Sequence, residues 1–227
     1  MGKKKRLDPD KATSIFERIV RRLSDPDEAD YQSHNLLNHM GRVRFAESES
    51  GTVSDLSKEH YVKGQYQFKY FDEDNPEGQQ AFRTALNRAE KVYSKIGDNK
   101  VPGWVHEAME HNDPDLLTNA QSDELYLANL DQIKGSDKYL KRILQDNDPR
   151  AGAHVYEKYH HTTAGIVNSS PRLQGIFGVL DDGKGGLIDT YKIPESPFYR
   201  GAGGYGRSAL EFNSGGFVRP NPGRKLI

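Results

Sequence analysis

The stretch DPDEADYQSHNLLNHMGRVRFAESES, residues 25–50, decides how this chain is read. Asp25-Pro26 marks a helix start, and Leu36, Leu37, Met40 and Val43 recur at spacings of three and four. The pattern predicts a helix from about Asp27 to about Glu49, with Gly51 ending it. Met40, Val43 and Glu47 share one stripe, so Glu47 lies on the inward face one turn beyond Val43. Glu49 falls about 200° further round the helix and points elsewhere. Glu47 is therefore the carboxyl expected to lose water, and Glu49 the one expected to keep it. Loss of hydration raises a carboxyl pKa. A carboxyl that holds its proton near neutral pH is what acid catalysis on a glycosidic oxygen requires.

A polar loop follows, and then GQYQF, Gly64–Phe68. Gly64 permits a tight turn, after which alternation sends Gln65 and Gln67 to one side and Tyr66 and Phe68 to the other. The glutamines and Tyr66 are expected to line a cleft opposite Glu47. Phe68 and Phe71 are expected to close the core beneath the loop.

Helical patterning dominates the rest of the chain up to about residue 165. Ile15, Phe16, Ile19, Val20 and Leu23 predict an N-terminal helix capped by Asp10. Pro76 opens another, with Phe82, Leu86, Ala89 and Val92 in phase and Gly97 as its stop. Four more follow within VPGWVHEAMEHN, DPDLLTNAQSDELYLANLDQIKG, SDKYLKRILQDN and DPRAGAHVYEKYHH. The composition then changes. Residues 165–227 hold 13 of the 22 glycines, together with repeated prolines, and predict an extended tail that folds against a partner. The expected division is an N-terminal basic and helical arm over 1–29, a helical domain over 30–165 and an extended tail over 166–227.

Composition narrows the function. With 32 Lys+Arg against 33 Asp+Glu the chain lacks the basic excess of a dedicated nucleic-acid binder. The absence of cysteine removes disulfides, zinc thiolates and a thiol nucleophile. No apolar run is long enough to span a membrane, and MGKKKR lacks the apolar core of a secretory signal. HEAMEH, His106–His111, spaces its histidines five apart, so they do not share a face as zinc ligands on one helix must. GKGG lacks the Ser/Thr and helix of a phosphate loop. No metal or cofactor is expected.

A helix ending in Glu-Ser, a loop of about 20 residues and then G-x-Y-Q-F resembles the lysozyme-like superfamily, and more narrowly the lytic transglycosylases and muramidases carried by bacteriophages. The resemblance covers roughly residues 35–165. It implies a mainly α, lysozyme-like helical domain with a short loop or hairpin, and one essential acid. AESES admits two registers. Helical phase selects Glu47, whereas the closer match to Glu-Ser-Gly selects Glu49. The resemblance further implies that Gln67, Tyr66 and Gln65 contact a peptidoglycan glycan strand, and that a late tyrosine, Tyr156 or Tyr159, faces the acid. The same YEKYHHT stretch also reads as a helix end, with His160 and His161 near the last carbonyls. The C-terminal GGFVRPNPGRKLI is similar to the ends of several phage virion proteins. It implies location in the particle, many copies, and contacts with other virion proteins. Two functions follow: a wall-degrading glycosidase acting in the host periplasm during genome entry, or a structural virion protein whose lysozyme-like domain is inert.

Overall fold

The computed structural model describes residues 7–48, 62–69, 81–161 and 163–189. Among these the chain is mainly α-helical. Helices α1 (Ile15–Leu23), α2 (Ala29–Ser48), α3 (Ala81–Tyr93), α4 (Gly103–His111), α5 (Asn119–Asp131), α6 (Asp137–Asp146) and α7 (Pro149–Val155) surround one apolar core. A single π turn, Tyr156–His160, continues α7, and the short helices α8 (Ile166–Ser169) and α9 (Pro171–Phe177) follow. Two antiparallel hairpins complete the described chain: β1 (Val62–Lys63) with β2 (Phe68–Lys69), and β3 (Val179–Asp181) with β4 (Leu187–Asp189). No helix among the described residues is long and apolar enough to cross a membrane.

Helix boundaries follow local chemistry. Asp148 caps α7 by accepting from the amides of Arg150 and Ala151, with Pro149 in the first turn. Thr118 and Gln121 cap α5 reciprocally. Asn112 and Asn147 end α4 and α6 in the left-handed conformation, a backbone shape that asparagine tolerates. DPDLL does not open α5 directly. Asp113 caps a short 3-10 turn over Pro114–Leu116, and α5 begins afresh at Thr118. At α1 the expected cap also shifts: Ser14, not Asp10, accepts from the Glu17 amide.

The N-terminal helix is no arm. Ile15 and Ile19 are fully buried in the core. The α1 amides of Ile15 and Phe16 donate to the Glu124 carboxylate of α5 at 2.6 and 3.3 Å, and the Tyr93 hydroxyl donates to it at 2.9 Å. Two turns further, Arg22 meets Asp131 of α5 at 2.7 Å. An orphaned helix start and a half-buried carboxylate thus satisfy each other across more than a hundred residues of sequence.

The segment after residue 165 also departs from expectation. Leu173, Ile176, Phe177 and Val179 are buried, and α9 packs on α2 and α7. Ser170 caps α9, Pro171 starts it, and Gly178, at φ 70°, ends it. The folded unit therefore extends to residue 189; the remainder of the expected tail lies outside the described residues. Helix α7 reaches α2 closely at Gly152, where a Cβ would stand 3.2 Å from His39 Nδ1. That approach brings the π turn onto the last turn of α2.

Candidate active site

Glu47 sits on the last turn of α2, and its side chain is 10% exposed. Met40 and Val43 on the same stripe are buried, so helical phase carries the carboxyl inward. Glu49 lies outside the described residues. From the π turn, the Tyr156 hydroxyl bonds the Glu47 carboxyl, and His160 Nε2 stands 3.8 Å from Glu47 Oε1. Oε1 is buried and has no hydrogen-bond partner among the described residues. From α9, Arg172 Nη1 donates to the Ala46 carbonyl at 3.1 Å and Nη2 to the Phe45 carbonyl at 3.0 Å. These carbonyls belong to the helix end that carries Glu47.

Burial pushes the Glu47 pKa up to about 7. The Tyr156 hydrogen bond and the positive charge of Arg172 pull it partly back. Burial and the neighbouring Glu47 charge push the Tyr156 phenol well up, so it remains a donor. Burial, with charge from His161, lowers His160 to about 4. His160 and Glu47 are therefore not an ion pair between these values: the glutamate keeps the proton and the imidazole is neutral.

The GQYQF segment behaves differently from a plain strand. Gly64 and Gln67 both have positive φ, 76° and 48°, and the Gln67 amide closes a turn on the Gly64 carbonyl at 3.1 Å. Alternation fails because the residues form the turn of the β1–β2 hairpin. Tyr66, expected to line a cleft, is fully buried. Its ring stacks on Tyr126 at 4.5 Å, and its hydroxyl donates to Asp123 Oδ1 at 2.7 Å. Arg44 of α2 holds the same carboxylate at 2.8 Å. Gln65 is buried and bonds Asn119 of α5. Gln67 is half-buried in the turn. Phe68 packs in the core, as the sequence reading places it; Phe71 lies outside the described residues. Of the two late tyrosines, Tyr156 reaches Glu47, while Tyr159 turns toward Tyr139 and His154. Replacing Tyr66 by Phe removes the hydroxyl donor from the Asp123 carboxylate and leaves Arg44 to hold it. The expected cost is ~1–2 kcal/mol of unfolding free energy in urea, with no loss specific to glycan binding.

Sequence reasoning passes over Arg172 and Tyr126 and places His160 elsewhere. His160 was read as a helix-end cation, yet it is buried among Tyr66, Phe68, Tyr126 and Tyr156. A π turn has no sequence signature that would have placed it there. A recess of about 340 Å³ lies away from Glu47, beside Tyr139, His154 and the Gly185–Gly186 turn. Its charges are matched locally: Arg142 bonds Asp148, and Glu157 accepts from the Val167 amide at 2.8 Å. Among the described residues no group of three His, Asp or Glu side chains is placed to hold a metal ion.

Comparison of the chain with family models, curated proteins and solved structures finds no match. The functional reading rests on the site itself.

Proposed function

We propose that this protein is a peptidoglycan-cleaving glycosidase, a lytic transglycosylase or muramidase carried in a phage particle to open the wall during genome entry. The observation that carries the reading is Glu47: a nearly buried carboxyl beside the Tyr156 hydroxyl, with its pKa raised to about 7, whose Oε1 has no hydrogen-bond partner among the described residues. Protonated, it gives its hydrogen to the bridging oxygen between N-acetylmuramic acid and N-acetylglucosamine as that C–O bond breaks. The electron-deficient sugar carbon left behind is then captured. Either the muramyl 6-hydroxyl attacks and returns its proton to Glu47, giving an anhydro end, or water does so, giving a reducing end. One carboxyl serves both steps, unlike the two-carboxylate arrangement. Tyr156 supports the carboxylate formed between them by donating to it.

The test is turbidity clearing of purified peptidoglycan by the full chain, with mass analysis of the products. Anhydro ends assign the transglycosylase outcome and reducing ends the hydrolase. Tyr156→Phe is expected to clear ~10–100-fold more slowly, the worth of a hydrogen bond to a charged group. A folded wild-type protein that clears nothing would overturn the reading. It would favour the alternative, a structural virion protein with an inert domain. The glycine- and proline-rich composition of residues 190–227 supports that alternative's particle contacts, and both readings assign those residues to binding other virion proteins.

A further inference from the structure

His160 occupies an unusual position for an imidazole. It is enclosed by aromatic rings from three elements, with centroids 6.0 Å from Tyr66, 5.9 Å from Phe68, 5.3 Å from Tyr126 and 6.2 Å from Tyr156. The first three meet it edge to face. The Tyr66 backbone acts on the ring in the sense of a carbonyl receiving its N–H, and Nε2 stands 3.8 Å from Oε1 of Glu47, which has no hydrogen-bond partner among the described residues. A neutral imidazole has one N–H and one lone pair. If the N–H serves the Tyr66 carbonyl, what faces Glu47 is the lone pair.

We propose that His160 is the positioning residue of Glu47: a neutral Nδ1–H tautomer, anchored to the Tyr66 carbonyl, whose Nε2 lone pair faces Oε1 and favours the protonated carboxyl over the carboxylate. The inference rests on Glu47 being the acid. A lone pair near Oε1 attracts an O–H and repels an anion. At 3.8 Å the contact is longer than a hydrogen bond of about 2.9 Å, so the hydrogen is biased toward Oε1 without being captured. It stays available to a glycosidic oxygen.

Among the described residues, four other groups act on this pair beside His161. Tyr156, on the same turn, donates to Glu47, and Arg172 on α9 lends it positive charge; both favour the carboxylate. Tyr126 on α5 lies close enough to feel the Glu47 charge. His161 and, on α2, His39 act electrostatically with His160; burial pushes His39 down to about 3. Within this set, His160 alone presents a lone pair to Oε1 without contributing charge.

The test needs no wall substrate. Nitrogen NMR of the full-length protein should find His160 as the Nδ1–H tautomer between pH 5 and 7. Carbon NMR of the Glu47 carboxyl should find its titration midpoint near 7. In His160→Phe, which keeps a ring and removes the lone pair, the midpoint should fall by ~1 unit. His160→Gln, which can turn an N–H toward the carboxyl, should lower it at least as far. An Nε2–H tautomer in the wild type, or an unmoved Glu47 midpoint in both variants, would overturn the proposal. The wild-type tautomer decides even if a variant fails to fold. A displaced midpoint without wall clearing would leave the His160 role standing and count against the glycosidase reading alone.

Discussion

Glu47→Gln is expected to abolish clearing of peptidoglycan, by at least ~10³-fold, while making the folded protein more stable at alkaline pH. The activity loss follows because glutamine fills the same space and has no proton to give. Glu49→Gln should clear at near the wild-type rate; the reverse pattern would transfer the acid to Glu49. In the wild type, clearing should decline as pH rises through about 7, where Glu47 gives up its proton. The stability gain has the same origin. Glu47 binds its proton more tightly folded, at about 7, than unfolded, at the ordinary value of 4.5. Its favourable contribution is complete below pH 4.5 and is lost as pH rises through 7. Above that, the buried carboxylate costs up to ~3 kcal/mol, which glutamine avoids. His39 and His160 work in the opposite sense. Both are depressed, so their contribution is present above 6.5 and is lost as pH falls toward 4 and 3. That loss is common to both proteins and cancels when urea midpoints of the wild type and Glu47→Gln are compared between pH 4 and 9. Equal midpoints at pH 9 would mean that Glu47 is not desolvated.

The second large effect is on folding alone. Glu124→Ala should lower the unfolding free energy by ~2–4 kcal/mol, because three donors lose one acceptor. Two of them are the first amides of α1, and no turn of helix precedes them to supply a carbonyl. Ile15 and Ile19 would then enter the core on a helix whose start is unpaired. Glu124→Gln should cost less, since its carbonyl oxygen still accepts. Urea unfolding of the three proteins measures this. Indistinguishable Ala and wild-type midpoints would mean that α1 is held by its apolar face alone.

Much of this arrangement is visible in the sequence, where the signal is local. The stripe Met40–Val43–Glu47 needs only helical phase, and Asp148-Pro149 is a cap and first turn wherever it occurs. What could not be read was set by distant partners or by averaging. Glu124 looks like any exposed helix acid until α1 arrives on it from far upstream. Tyr66 follows Gly64 in a run that alternates like a strand, and only the left-handed backbone at Gln67 reveals a turn. Arg172 lies in a stretch rich in glycine, and the composition of residues 165–227 hid an ordinary helix between Ser170 and Gly178. Read by its end signals instead, that helix has a cap, a proline start and a glycine stop. Its arginine then fixes the end of α2 across the molecule.

The π turn has a consequence for how this region tolerates insertion and deletion. The His161 amide reaches back five residues to the Tyr156 carbonyl, at 2.8 Å, so the turn holds one residue more than an α-helix would. Removing any one residue from it would let the helix close with ordinary hydrogen bonds. The repair would turn everything beyond it by about 100°, and Tyr156 and His160 could no longer face Glu47 together. The surplus residue is a frameshift in three dimensions, and the register of the site depends on keeping it.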